Sequence, residues 1–191
     1  MQFSLFGAAA AQPCLDDLDG VLLGGGHWVR VGPDARLSAV VADRWRADAL
    51  HTAFWERGVG ETAAPIVAAE EGWAVRTAVT PVLVESAARW TRGANQGPPA
   101  GFTVTPGGLR LWAITAGRRD ESGYLFATAE PDDVVHSAAG SQLSRLGLAA
   151  VSLTARGGGP GWRITSVKRL RRLGELLGEI PLGAGADWPS A

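Results

Sequence analysis

The sequence predicts a mixed α/β (α+β) chain made of two pseudo-symmetric αββαββα repeats, and three observations predict it. Apolar residues alternate between helical and two-residue spacing in one fixed order, helix, hairpin, helix, hairpin, helix. That order recurs in the second half of the chain. A stretch carrying Gly93, Gly97, Pro98, Pro99, Gly101, Pro106 and Gly107 separates the two runs. A chain of 191 residues, 46% hydrophobic and 19% charged, can bury a core and is too apolar for disorder.

The first element follows a tail at residues 1–14. Asp16, Asp17 and Asp19 crowd the start of a run in which Leu18, Val21 and Leu22 share helical spacing. Acids suit a helix start, and Gly24, Gly25 and Gly26 end it. His27 to Val31 and Arg36 to Val41 flank a Gly32-Pro33-Asp34 turn and predict a hairpin. Asp43 is a good N-cap for a helix through Trp45, Leu50 and Phe54 that stops at Gly58. A second hairpin joins Ala63 to Ala69 with Trp73 to Val79 across Glu70-Glu71-Gly72, and Pro81 opens a third helix reaching about Arg92. Repeat 1 is therefore placed at residues 15–92 and a linker at 93–107.

Repeat 2, residues 108–180, is read the same way. Leu109, Trp112 and Ala113 mark a helix ending at Gly117, and Tyr124 to Ala129 form a strand with at best a short first hairpin. Pro131-Asp132-Asp133 starts a helix through Val135, Ala139, Leu143 and Leu146, stopped by Gly147. Ala150 to Arg156 then pairs with Gly161 to Ser166 across Gly157-Gly158-Gly159-Pro160, and a last helix runs from about Val167 to Leu177 before a tail at 181–191.

The nine residues Leu18-Asp19-Gly20-Val21-Leu22-Leu23-Gly24-Gly25-Gly26, together with this element order, resemble the LAGLIDADG homing-endonuclease fold. The resemblance implies a saddle of antiparallel sheets backed by helices, with the two motif helices packed through small residues: Gly20, Gly24 and Gly25 in one, Ala113, Ala116 and Gly117 in the other. It also places the metal-binding acid just before the motif's final glycine, where this chain has Gly25 and Ala116. Neither side chain can ligate a hard cation. The expectation is therefore a chain with no enzymatic activity, no metal and no cofactor. The Leu-Leu-Gly-Gly-Gly ending is similar to the WhiA-type bacterial sporulation regulators, which implies a DNA-binding role in transcription regulation. Residues 181–191 are too few for the separate helix-turn-helix of that family.

Charge neither advertises nor forbids such a role. The net charge is −1, yet 17 of the 18 basic residues are arginine, the side chain that forks onto phosphate and guanine. The candidate DNA-facing residues are Arg30, Arg36 and Arg76 in the first repeat, with Ser38 beside them. Arg118 and Arg119 follow the second motif helix. In the last hairpin Ser152, Thr154, Arg156, Arg163 and Thr165 are assigned one face, opposite Val151, Leu153, Trp162 and Ile164. Lys168, Arg169, Arg171 and Arg172 form the densest basic run, of which Lys168, Arg169 and Arg172 join the DNA-contact set. Two readings stay open: duplex DNA on the concave sheet surface, or a protein partner or second copy of the chain on that same surface.

Other constellations carry less. Gly24-Gly25-Gly26 leads from a helix into a strand, the reverse of a phosphate loop. His27, His51 and His136 stand in separate elements, and no nucleophile elbow surrounds Ser137. Trp45, Trp55, Trp90, Trp112 and Trp162 fit core phases, while Trp28 and Trp73 are candidates for an exposed sheet. Cys14 has no disulfide partner. No apolar run is long enough to span a bilayer and the opening residues lack a basic leader, so cytoplasmic location is expected.

Overall fold

The computed structural model describes residues 11–93, 95–128, 133–154, 156 and 159–189. Expectations that fall on the chain before residue 11, on Ala129, Pro131 and Asp132, and on Gly157 and Gly158 lie outside the described residues. A 3-10 turn at Leu15–Leu18 leads into α1 (Asp19–Leu23), followed by β1 (His27–Val31), β2 (Asp34–Val41), α2 (Arg44–Glu56), β3 (Ile66–Ala69), β4 (Gly72–Arg76) and α3 (Val84–Trp90). A two-stranded ribbon, β5 (Thr91–Arg92) and β6 (Asn95–Gln96), joins the halves. The second half is α4 (Pro106–Ala116), β7 (Gly117–Asp120), β8 (Gly123–Ala127), α5 (Asp133–Arg145), β9 (Val151–Leu153), β10 (Gly161–Ile164) and α6 (Val167–Leu177).

Each half folds into a four-stranded antiparallel sheet, β1-β2-β4-β3 and β7-β8-β10-β9. Strands in corresponding positions come from corresponding places in the two halves, which is the two-repeat architecture that the sequence predicts. One face of each sheet is apolar and covered by helices. Trp28, Leu37, Ala39, Val41 and Val75 supply it in the first sheet, and Tyr124, Phe126 and Ile164 in the second. Along β2 every second residue, Ala35, Leu37, Ala39 and Val41, enters the core, and Ser38 on the other face is buried as well.

Helices α1 and α4 lie side by side at the centre. A Cβ on Gly20 would stand 1.8 Å from the Gly108 carbonyl oxygen, and one on Gly24 would stand 2.8 Å from Thr115 Cβ. Only glycine lets these backbones approach so closely. Leu18 just before α1, Val21 and Leu23 on it, and Leu109, Trp112 and Ala113 on α4 are wholly buried.

Two local outcomes depart from the sequence reading. Helix α4 starts at Pro106, ahead of Leu109, because Thr105 caps it: its hydroxyl accepts the Gly108 N–H at 2.8 Å, and proline suits the first helical position. The Gly/Pro-rich segment is also tied down by two glutamines. Gln96 accepts from the Trp28 N–H and donates to the Trp28 carbonyl, both at 3.1 Å, standing in for a strand neighbour at the edge of β1. Gln142 on α5 likewise accepts the Val104 N–H at 3.1 Å and donates to the Phe102 carbonyl at 3.0 Å.

Candidate nucleic-acid interface

The faces of the two sheets turned away from the helices are the candidate surface, and strand register decides what stands on them. In the first sheet Ser38 pairs with His27 on β1 and with Arg76 on β4, which sets a polar row across three strands. Arg36, two residues from Ser38, shares that face and pairs with Val29. Arg36 and Arg76 are half-buried, and neither joins an ion pair with a carboxylate among the described residues. The Arg36 Nε is buried without a hydrogen-bond partner there. In the second sheet one row runs Arg118, Leu125, Arg163, Val151 across all four strands. Asp120 lies on this face too and binds Arg163 at 2.7 Å, so this arginine is already neutralised.

Register corrects three placements. Arg30 pairs with Ala35, a core-side residue, so it stands on the opposite face from Arg36 and is exposed only because β1 is an edge strand. Arg119 pairs with Tyr124 and takes the helix side of β7, while Arg118 takes the open side. In the last hairpin Ser152 pairs with Trp162, and Val151 with Arg163, the reverse of the expected assignment. The cause sits on α5: His136 contacts the Ser152 hydroxyl at 2.7 Å and stacks on the Trp162 ring at 4.9 Å, which draws both to the helix side. A one-residue change of register turns a strand over, and the turn length that sets it was not readable from composition. Arg156 is exposed beyond β9. Lys168, Arg169 and Arg172 stand on α6, in the helical layer rather than on a sheet.

The open faces are consequently less basic and more apolar than the sequence suggests. Val31 (42% exposed), Val40 (50%) and Val67 (39%) all lie on the open side of the first sheet, and Val151 (57%) on that of the second. The tryptophans also redistribute. Trp28 is buried, Trp73 lies helix-side beneath the Arg44 guanidinium at 5.0 Å, and Trp55, expected in the core, is 49% exposed.

The motif ends meet as follows. Gly24 abuts Thr115 and Ala116 across the helix pair. Gly25 is exposed with φ +99°, a backbone conformation that favours glycine. Gly25 and Ala116 offer no side-chain oxygen, so the two motif positions do not fit a divalent ion, and no group of three or more His, Cys, Asp or Glu suited to a metal occurs among the described residues. Instead, buried Arg46 from α2 reaches the end of α4 and donates to the carbonyls of Ile114 (2.9 Å) and Gly117 (2.7 Å), with Asp43 holding it at 2.9 Å. A cation on these last carbonyls complements the negative end of the helix. The Tyr124 hydroxyl sits beside Gly117 with no partner among the described residues, and burial pushes its ionisation up.

Sequence reasoning missed the roles of two acids. Asp17 and Asp19 are not surface charges at a helix start; both are buried. Asp17 accepts Arg57 at 2.6 Å, the Thr105 hydroxyl at 2.5 Å and the Cys14 N–H at 3.1 Å, linking the start of α1 to α2 and to the cap of α4. Burial alone would raise its pKa, but the bonds from Thr105 and Cys14 and the Arg57 charge outweigh that and hold it below the usual carboxylate range. Asp19 accepts the Trp90 indole N–H at 2.7 Å and faces Arg89 at 3.4 Å. Here burial wins over both and pushes the carboxyl up to about 6. Apart from Cys14, these partners lie 40 to 88 positions away, and an Asp-rich run at a helix start gives no sign of them.

No protein-family model matches the sequence, and comparison with curated proteins returns no match. Comparison of folds does: the fold is LAGLIDADG-like. The crystal structure of I-DmoI, a LAGLIDADG homing endonuclease, in complex with DNA and Mn, is similar at TM-score 0.50 and 13% identity, covering 86% of this chain and 98% of that one. This overturns the expectation of no enzymatic activity, since the solved structure that the chain is similar to is that of an enzyme. No helix among the described residues is long and apolar enough to cross a membrane.

Proposed function

We propose that the chain binds duplex DNA across the open faces of its two sheets and serves in transcription regulation in the cytoplasm, in the manner of the WhiA-type regulators. The observation that carries the reading is the cross-strand set His27, Ser38, Arg76 and Arg36, with Arg118 on the second sheet: polar and cationic groups held by rigid strands on one side of each sheet. Arginines so placed fix a duplex through its phosphates, and the exposed His27 imidazole beside them reaches base edges, while Ser38 is buried between them. The similar structure was solved with DNA, which supports the same use of this fold. The close approach of Gly20 to Gly108 and of Gly24 to Thr115 and Ala116 would hold the two faces in fixed relation.

Fluorescence anisotropy with duplex DNA over a salt series tests this. Binding at low salt that weakens steeply as salt rises is expected. Folded protein that leaves the duplex free at low salt overturns it.

A second reading has its own observation. Val31, Val40, Val67 and Val151 expose apolar surface on these same faces, the composition of a protein contact, for a partner or a second copy of the chain. Light scattering of the free protein separates the two: a monomer that binds DNA supports the first, and a dimer that DNA leaves intact supports the second.

A further inference from the structure

The strongest charge concentration lies away from both sheets. Lys168, Arg169, Arg171 and Arg172 occupy the first half of α6 and, with Gly147, Ser166 and Glu175, line an open cavity of about 510 Å3. At the helical turn of about 100° per residue, all four cations project within an arc of roughly 160°. All four are exposed, and none joins an ion pair with a carboxylate among the described residues. Arg172 is anchored by its Nε, which donates to the Leu146 carbonyl at 2.7 Å.

This arrangement works against the helix that carries it. Cations near a helix start oppose its positive end, and like charges three and four residues apart repel. Four cations against the single Glu175 leave the cavity strongly positive. Leu173 and Leu177 on the other side of α6 bury against the core, as does Leu176 in its last turns, so the helix is held in place by packing while the cations of its first half face outward. A compact, multiply charged anion would relieve the repulsion, and three arginine forks match phosphoryl oxygens in pairs.

We propose that the cavity at the start of α6 is a binding site for an oligophosphate anion, separate from the sheet surface. Tripolyphosphate is the probe, titrated calorimetrically at low ionic strength into the full chain. The wild type binds it. The variant Lys168→Gln, Arg169→Gln, Arg171→Gln, which alters exposed side chains and keeps the Arg172 anchor, weakens binding ~10-fold or more. The variant Arg36→Gln, Arg76→Gln leaves it unchanged. No binding by the wild type, or undiminished binding by the folded α6 variant, overturns the site. Sulfate competing as well as tripolyphosphate at equal ionic strength also overturns it, since that is screening alone. Duplex affinity unchanged in the α6 variant supports a free oligophosphate ligand; duplex affinity lost in parallel assigns the cations to a nucleic-acid backbone and overturns the separation.

Discussion

Replacing Gly20 with alanine puts a methyl group 1.8 Å from the Gly108 carbonyl oxygen, where ordinary contact begins at 3.4 Å. The opposing atom is backbone and cannot rotate away, so α1 and α4 must part locally by about 1.6 Å or bend. Overpacking of this kind costs ~1–3 kcal/mol, with more where the backbone resists. Alanine's better helix propensity returns about 1 kcal/mol. Because the opposing atom is backbone, the upper end applies, and the expected net loss is ~2 kcal/mol, or a fall in Tm of roughly 4–8 °C for a chain of this length. Gly24→Ala is the internal comparison, because its neighbour is the Thr115 side chain at 2.8 Å, which can yield in part. It should lose about 1 kcal/mol. Urea unfolding of both variants reads these differences. Gly20→Ala equal to or more stable than wild type, as propensity alone would give, refutes the close helix contact.

Three further outcomes follow from buried charges. Arg57→Met strips Asp17 of its ion-pair partner at a site where both side chains are nearly inaccessible, and unfolding should be easier by ~3–5 kcal/mol; adding Asp17→Asn should recover much of that, and a double variant no better than the single contradicts the pairing. Arg46→Met leaves the last carbonyls of α4 buried without a donor, for a loss of ~2–4 kcal/mol by urea unfolding; a neutral result means the cap has no weight. Asp19 carries a raised pKa, so the folded state holds its proton where the unfolded chain has released it. Stability from this group is full below the unfolded pKa of 3.8 and is lost as pH rises toward 6. The loss is at most about 3 kcal/mol. Asp19→Asn should flatten the stability profile between pH 4 and 6, and an unchanged slope assigns that dependence elsewhere.

What the sequence disclosed, and what it hid, divides along physical lines. Periodicity and turn residues place most elements well: α6 spans Val167–Leu177 as read, and α2 stops one residue before Arg57 and two before Gly58, whose φ of +70° suits glycine. The order of elements is a local property repeated twice, so it survives translation from pattern to fold. Faces are different. Whether Arg30 or Ser152 looks toward the core depends on register, which long-range pairing and the His136 contacts decide. Partners of Asp17, Asp19 and Arg46 come from the other repeat or from distant elements, and no local signal encodes them. The apolar open faces were hidden for the same reason, since Val40 and Val151 look like core residues until their register is known.

The salt dependence of duplex binding, compared between wild type and the variant Arg36→Gln, Arg76→Gln, tests the placement of DNA on the sheets most directly. Each phosphate contact removed should lower the slope of log affinity against log salt by about 1, so the double variant is expected about 2 below wild type with the loss uniform across sequences. An identical slope in the two proteins, both folded and both binding, would place the duplex elsewhere on the molecule.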